Sequence, residues 1–203
     1  MKVNVTNNVK NVKVEVTEGK KEVNIIINSA DERSLADLMP GEVFEKSGSE
    51  YIVLEQLENG NTAVIAKDIV ETMVFGDNNN FSKSNVKKFL NSDYLKKIEN
   101  DFGIENVGNQ NVDLLSLDGL DDYGIDTVKV SLLTIDDYRK YRKALGDNLD
   151  DWWWLVTPDS TPSGDGESWV RCVLSNGCMC YDNYLYIGGV RPFFFLKSNI
   201  FVS

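Results

Sequence analysis

Trp152-Trp153-Trp154-Leu155-Val156-Thr157-Pro158, followed thirty residues on by Gly188-Gly189-Val190-Arg191-Pro192, is the stretch that decides how the chain is read. Three consecutive indoles ahead of a Thr-Pro turn are costly to expose, so at least one ring is expected to anchor a core. Arg191 stands among Val190, Pro192 and Phe193-Phe194-Phe195. A guanidinium in such company is either buried with its donors paired or fixed at a turn. Both motifs therefore read first as architecture, and Trp153, Trp154, Gly189, Arg191 and Pro192 form the expected scaffold.

Working outward, residues 150–203 have strand composition, many turns and the densest aromatics. Upstream, Tyr51-Ile52-Val53-Leu54 and Thr62-Ala63-Val64-Ile65-Ala66 flank Glu58-Asn59-Gly60-Asn61, a hairpin signature. Val86, Phe89, Leu90, Tyr94, Leu95 and Ile98 fall at helical spacing over 82–100, interrupted at Asn91-Ser92. Thr134 with Asp137 three residues later predicts a capped helix from Ile135 to Leu145, ended by Gly146. A further helix is expected over 29–40, capped by Ser29 or Asp31, with Leu35 and Leu38 inward and Pro40-Gly41 as the stop. Residues 1–28 alternate valines with Asn, Lys, Glu and Thr around a Glu18-Gly19-Lys20-Lys21 turn. That block is too small for its own core, so it must pair with the main domain as an added edge strand or with another copy, which would make a homo-oligomer. The expected organisation is a β segment over 1–28 and an α+β domain over 29–203 with an irregular C-terminal half.

Composition removes several functions. The chain has 203 residues and a formal net charge of −11, so phosphate backbones and anionic membranes are poor partners. No long apolar run predicts a membrane span, and the N-terminus lacks a signal-peptide stretch. Synthesis in the cytoplasm is expected, with a virion as a candidate destination. There is no histidine, which removes Ser-His-Asp and Cys-His catalysis and His-ligated zinc. No carboxylate pair is marked out for acid-base work, and neither an enzyme nor a cofactor is expected.

The three cysteines, Cys172, Cys178 and Cys180, lie within nine residues. An odd count argues against a disulfide framework, and i, i+2 cysteines along one strand are poorly placed to bond each other. No fourth ligand is spaced for zinc. Asp113, Asp118, Asp121, Asp122 and Asp126, with Gly119 and Gly124, could hold calcium, but the order of ligands is not that of an EF-hand. A solvated acidic loop is the competing reading.

Trp153-Trp154-Leu155 with Thr157-Pro158, then Val173 to Gly177, then Gly189-Val190-Arg191-Pro192 resembles a C-terminal module of phage and prophage proteins from Gram-positive bacteria. That family is of unknown function and is similar to the C-type-lectin-like fold in its formylglycine-generating-enzyme form. Tyr51-x-Val53-Leu54, Phe89-Leu90-Asn91, and Leu132-Leu133-Thr134 before Tyr138 fit the same pattern. The resemblance covers roughly residues 38–203, leaves 1–28 outside, and departs at Val156. It implies a ligand-binding lectin-like module.

Lectin-like proteins of this class include the variable proteins of diversity-generating retroelements, in which Asn AAC codons become NNC. Such codons never give Trp, Met, Lys, Glu or Gln. The chain has 16 Lys, 13 Glu and 2 Gln, yet residues 168–196 contain none of them. Buried strands also exclude these residues, but Ser175, Asn176, Gly177, Asp182 and Asn183 read as surface turns. Tyr-rich, Ser/Asn/Gly-rich loops on a rigid scaffold are how paratopes are built. The resemblance thus implies a diversified surface for a protein or carbohydrate receptor on a cell. Its expected contacts are Cys172, Leu174, Cys178, Cys180, Asp182, Tyr184, Leu185, Tyr186, Ile187, Phe194 and Phe195, with Trp169 and Met179 as fixed positions. An undiversified binding module and a structural virion part are the alternatives. The cysteine-based activity of the formylglycine-generating enzymes is not expected, because all three cysteines fall in the variable window.

Overall fold

The structure is a computed structural model that describes residues 32–203. The expected strands of 1–28, and Ser29 and Asp31 as helix caps, lie outside the described residues.

In chain order the strands are β1 (Arg33–Ser34), β2 (Val43–Lys46), β3 (Ser49–Gln56), β4 (Asn61–Ala66), β5 (Glu71–Val74), β6 (Val107–Gly108), β7 (Gln110–Asp113), β8 (Ile125–Val128), β9 (Val130–Ser131), β10 (Trp153–Pro158), β11 (Trp169–Val173), β12 (Met179–Asn183), β13 (Ile187–Val190), β14 (Phe193–Lys197) and β15 (Phe201–Val202). The α-helices are α1 (Asn85–Phe89), α2 (Leu95–Phe102) and α3 (Ile135–Tyr141). One sheet runs β2-β3-β4-β14-β6, with β9 also on β14; a second runs β12-β11-β10-β13-β5. Two ribbons, β1-β15 and β7-β8, complete the set. The chain is α+β.

The β3-β4 hairpin forms as its Asn-Gly turn predicts, with Gly60 at φ 80°. β4 then pairs with β14, so the Phe193–Lys197 run occupies the middle of the larger sheet. The helical stretch after residue 84 is broken as expected. A π turn over Leu90–Tyr94 separates α1 from α2, and Asn91 departs from helical geometry there. The break has a structural use. Asn91 Nδ2 donates to Val130 O (2.8 Å), and its Oδ1 accepts from the Lys129 and Val130 N–H groups (3.2 Å each). A helix side chain thereby satisfies the backbone beside β9. The capping box at Thr134 and Asp137 is present, although α3 ends at Tyr141, short of the expected Leu145.

The expected helix over 29–40 is corrected. Among the described residues of that stretch only a single 3-10 turn, Leu35–Asp37, forms, and Ser34 is its cap. Leu35 and Leu38 are buried as expected, but hydrogen bonds from the Leu35 and Ala36 N–H groups to Ile200 and Ser198 carbonyls draw the backbone out beside the C-terminal segment. Long-range pairing overrides local helix propensity here.

The two defining motifs meet in the second sheet. β10 and β13 are parallel neighbours, with Trp153 opposite Gly189. A Cβ on Gly188 would lie 2.5 Å from the Trp152 ring and 2.7 Å from that of Trp154. One on Gly189 would lie 2.8 Å from the Trp152 carbonyl. The glycines are present because the tryptophan strand leaves no room for a side chain. Trp153, Trp154, Gly189, Arg191 and Pro192 are all buried, and Trp152 is half-buried. Trp153 and Trp154 face opposite sides of their strand and anchor different clusters, Trp154 with Phe75 and Val190 and Trp153 with Tyr138 and Phe193.

Candidate functional site

β11 and β12 form a hairpin whose register is Trp169↔Asn183, Arg171↔Tyr181, Cys172↔Cys180 and Val173↔Met179. Odd-numbered residues of both strands therefore share one face and even-numbered residues the other. The even face, with Val170 and Cys172, packs into the core around Trp154. The odd face opens outward at Trp169 and Tyr181, whose rings meet edge to face at 5.4 Å. The Arg171 guanidinium sits 5.5 Å from the Tyr181 ring and is held by Asp159 at 2.8 Å. The turn into β13 follows, where Leu185 and Tyr186 are each 59% exposed and Ile187 is 66% exposed.

This placement sorts the expected contacts. Leu185, Tyr186, Ile187, Cys178 and Trp169 are exposed. Leu174, Cys180, Asp182, Tyr184 and Phe195 are half-buried. Cys172 at 1% and Phe194 at 0% exposure are corrected from contact residues to core residues. Cys172 lies on the inward face of β11, and Phe194 packs edge to face on Tyr51 in the larger sheet. Tyr184 also packs against the core, and its backbone bridges Ser168 and Phe75.

Met179 and Tyr181 are the exposed residues of β12, and the expected contact set omits Tyr181. Within β12 it takes the even positions Cys180 and Asp182 instead, both half-buried. The signal available was strand parity. Val170 and Cys172 are apolar and Trp169 and Arg171 amphipathic, which marks the odd face as the wet one over that part of the hairpin; at Val173 the same face is buried with Trp153.

Burial also divides the stretch that lacks Lys, Glu and Gln. From Gly188 to Leu196 every residue but Phe195 is buried, which accounts for their absence there. From Leu174 to Tyr186 and Ile187 none is buried, so burial does not account for it.

The cysteines form a gradient. Burial pushes the Cys172 thiol up to about 12, while Cys178 is exposed. A disulfide-exchange reagent on the native protein is expected to modify Cys178 rapidly, Cys180 more slowly, and Cys172 only after denaturation. Rapid labelling of Cys172 in the folded protein, read by peptide mass, would mean that β11 opens readily.

The acidic loop proves to be the β7-β8 ribbon and its turn. Asp118 accepts from Ser116 and Ser160, and Asp122 accepts from Thr161 and Ser163, which holds both carboxyls below the usual range. Asp126 pairs with Lys87 at 2.6 Å. These carboxylates staple the ribbon to the 159–165 loop and to α1, and among the described residues no three His, Cys, Asp or Glu side chains converge as a metal cradle. No helix among them is long and apolar enough to cross a membrane.

Set against protein-family models, curated proteins and solved structures, the chain matches none.

Proposed function

We propose that the chain is a ligand-binding protein with a C-type-lectin-like domain, encoded by a phage or prophage, whose outward β11-β12-β13 surface engages a receptor on a host cell. The observation that carries this reading is the clustering of Trp169, Met179, Tyr181, Leu185, Tyr186 and Ile187, all exposed within one short stretch of chain. Trp169 and Tyr181 meet there at 5.4 Å, and exposed large apolar groups held in contact mark an interaction surface. The strands that carry them are backed by the core, with Val170 and Cys172 of β11 packed around Trp154 and β13 lying against the Trp152 and Trp154 rings at Gly188.

Retroelement diversification belongs to the same proposal. Trp169 and Met179 would be fixed, and Tyr181, Leu185, Tyr186 and Ile187 variable, since only the latter types arise from NNC codons. The gene's nucleotide sequence tests this. These codons are expected to end in C or T, with a nearby template differing only at its adenines. A codon such as CTG at Leu185 would leave the undiversified binding module as the better reading.

Variable positions must tolerate substitution. Tyr186→Ala and Ile187→Ala are expected to change stability by less than about 1 kcal/mol while weakening attachment of the labelled protein to Gram-positive cells by roughly 5- to 30-fold each. Unchanged attachment would remove this surface from the binding role. Tyr184→Ala is expected to cost more than either in stability, because its ring is packed against the core.

A further inference from the structure

The register of β11 and β12 sets Cys172 directly opposite Cys180. The phase of the ladder can be read from its two ends. The Leu174 N–H donates to Cys178 O (2.9 Å) across the 175–177 turn, where Gly177 takes φ 76°. At the other end the Tyr184 N–H donates to Ser168 O (3.3 Å). Hydrogen-bonded and non-hydrogen-bonded pairs alternate between these ends, so Cys172 and Cys180 form a hydrogen-bonded pair, with Cα atoms about 5.5 Å apart. That separation is among the commonest in disulfides.

Both side chains lie on the inner face of the hairpin. Cys172 belongs to the core around Trp154, and Cys180 packs against that core. The thiols act on each other: burial is the main cause that raises the Cys172 thiol, and the Cys180 thiol adds to it. Cys178 is a poor rival. It stands diagonally from Cys172, and diagonal neighbours across two strands are about 7–8 Å apart, beyond the reach of a disulfide.

One adjustment is needed. Facing residues have Cβ atoms about 5 Å apart, whereas a disulfide holds them at about 4 Å. The strands must therefore close by about 1 Å. β12 has room to move, because it is the end strand of its sheet and among the described residues no strand pairs with its outer side. A bond made under such strain is readily reduced again. It would also act on the outward face, since Tyr181 follows Cys180 on β12 and its ring meets Trp169 of β11.

We propose that Cys172 and Cys180 are a reversible oxidation site, closing as a cross-strand disulfide that ties β12 to β11 in oxidising surroundings. The proposal goes beyond the receptor-binding reading and does not depend on it. With oxidised glutathione as the oxidant the steps balance. The half-buried Cys180 loses its proton and attacks one glutathione sulfur, and a glutathione thiolate leaves. Cys172 then loses its proton and attacks the Cys180 sulfur, and the second glutathione thiolate leaves. Two protein thiols become one disulfide, and their two electrons and two protons end on two molecules of glutathione. Burial of the Cys172 thiol makes the second step the slow one, so closure takes hours where labelling of Cys178 takes minutes.

Oxidised glutathione added to the full chain carrying Cys178→Ser tests this by intact mass. The expected product is a monomer lighter by two hydrogens, with no thiol left to alkylate after unfolding. Millimolar reduced glutathione should return it to its starting mass. Closure should raise the melting temperature by on the order of 5 °C and slow hydrogen exchange of the β12 amides, and reduction should reverse both. In the Cys180→Ser chain, Cys172 should stay a free thiol until unfolding. Glutathione that remains on Cys180 beside a free Cys172 would overturn the proposal, as would a disulfide-linked dimer of the Cys178→Ser chain. A Cys172–Cys178 bond in the Cys180→Ser chain would overturn the register argument beneath it. A closed bond that leaves melting and exchange unchanged would overturn its role as a tie. Attachment to cells through Tyr186 and Ile187 is read with the thiols reduced, so each idea can fail alone.

Discussion

Trp154→Ala is expected to lower the melting temperature by on the order of 10 °C, the consequence of losing about 3–5 kcal/mol in a chain of this size. Trp154 is fully buried. Its ring meets Phe75 edge to face at 5.6 Å and Trp152 at 4.7 Å, and its Nε1–H donates to Met73 O at 3.2 Å. It thus links β10 to β5 across the intervening β13, a connection that backbone pairing alone does not make. Alanine would leave a cavity framed by two rigid rings and by glycines that cannot reach into it, so the site has little means of collapsing. Trp154→Phe separates volume from the hydrogen bond. It is expected to recover more than half of the loss, the remainder being Met73 O left without its donor. Urea unfolding of both variants with unchanged slopes would place the effect in the folded state. A melting shift of only a degree or two for Trp154→Ala would mean that the ring is a surface group and that the face around Trp169 has been read inside out.

Much of this architecture is visible in residue order. The Asn59-Gly60 turn, the capping box at Thr134 and the interruption at Asn91-Ser92 are local signals, and each forms where local chemistry places it. What is not visible is what the local element is for. The helix break reads as an imperfection until the structure shows Asn91 capping the backbone beside β9, 39 residues away in sequence. Gly188-Gly189 reads as scaffold, but which neighbour demands glycine there shows only when the pair is found in a strand beside the indoles. The helix expected at 29–40 fails for the same reason in reverse, because the Ser198 and Ile200 carbonyls compete for its N–H groups and no local pattern encodes that competition.

Composition marks a region of the chain but does not say which of its side chains face outward. Composition separates 168–196 from the rest, yet it cannot distinguish the buried run after Gly188 from the open run before it, since both lack Lys, Glu and Gln. Within β12 a shift of one residue exchanges every side chain between faces, so choosing Cys180 and Asp182 entailed passing over Tyr181. Cys172, opposite Cys180, inherits the same error. Phe194 fails differently, because the central strand β14 is covered on both faces.

Arg191→Ala is expected to cost about 3 kcal/mol, and the contrast with Arg191→Met shows why. The side chain is buried with no carboxylate bonded to it; Nε donates to Ala66 O and Nη2 to Lys67 O, each at 2.9 Å, and the guanidinium lies 5.2 Å from the Trp153 ring. Burial pulls its pKa down to about 10, with Asp68 working in the opposite sense. A basic group whose folded pKa lies below its unfolded value opposes folding while it is charged in both states, and the penalty is relieved only as pH rises above the folded value. At neutral pH the charge itself is therefore a liability, and the residue's contribution must come from the two carbonyls it satisfies where the chain leaves β4 and from its packing on Trp153. Methionine restores most of the volume and removes the charge, but it donates nothing. Arg191→Met should thus remain about 2 kcal/mol below the native protein, the cost of two carbonyls left short of a donor. Arg191→Lys keeps the charge and loses the planar fork, so it should fare no better than methionine. Near-ultraviolet dichroism should change in all three, because each alters what lies over Trp153. A methionine variant as stable as the native protein would show that Arg191 is retained for something other than holding the start of β14 to the end of β4.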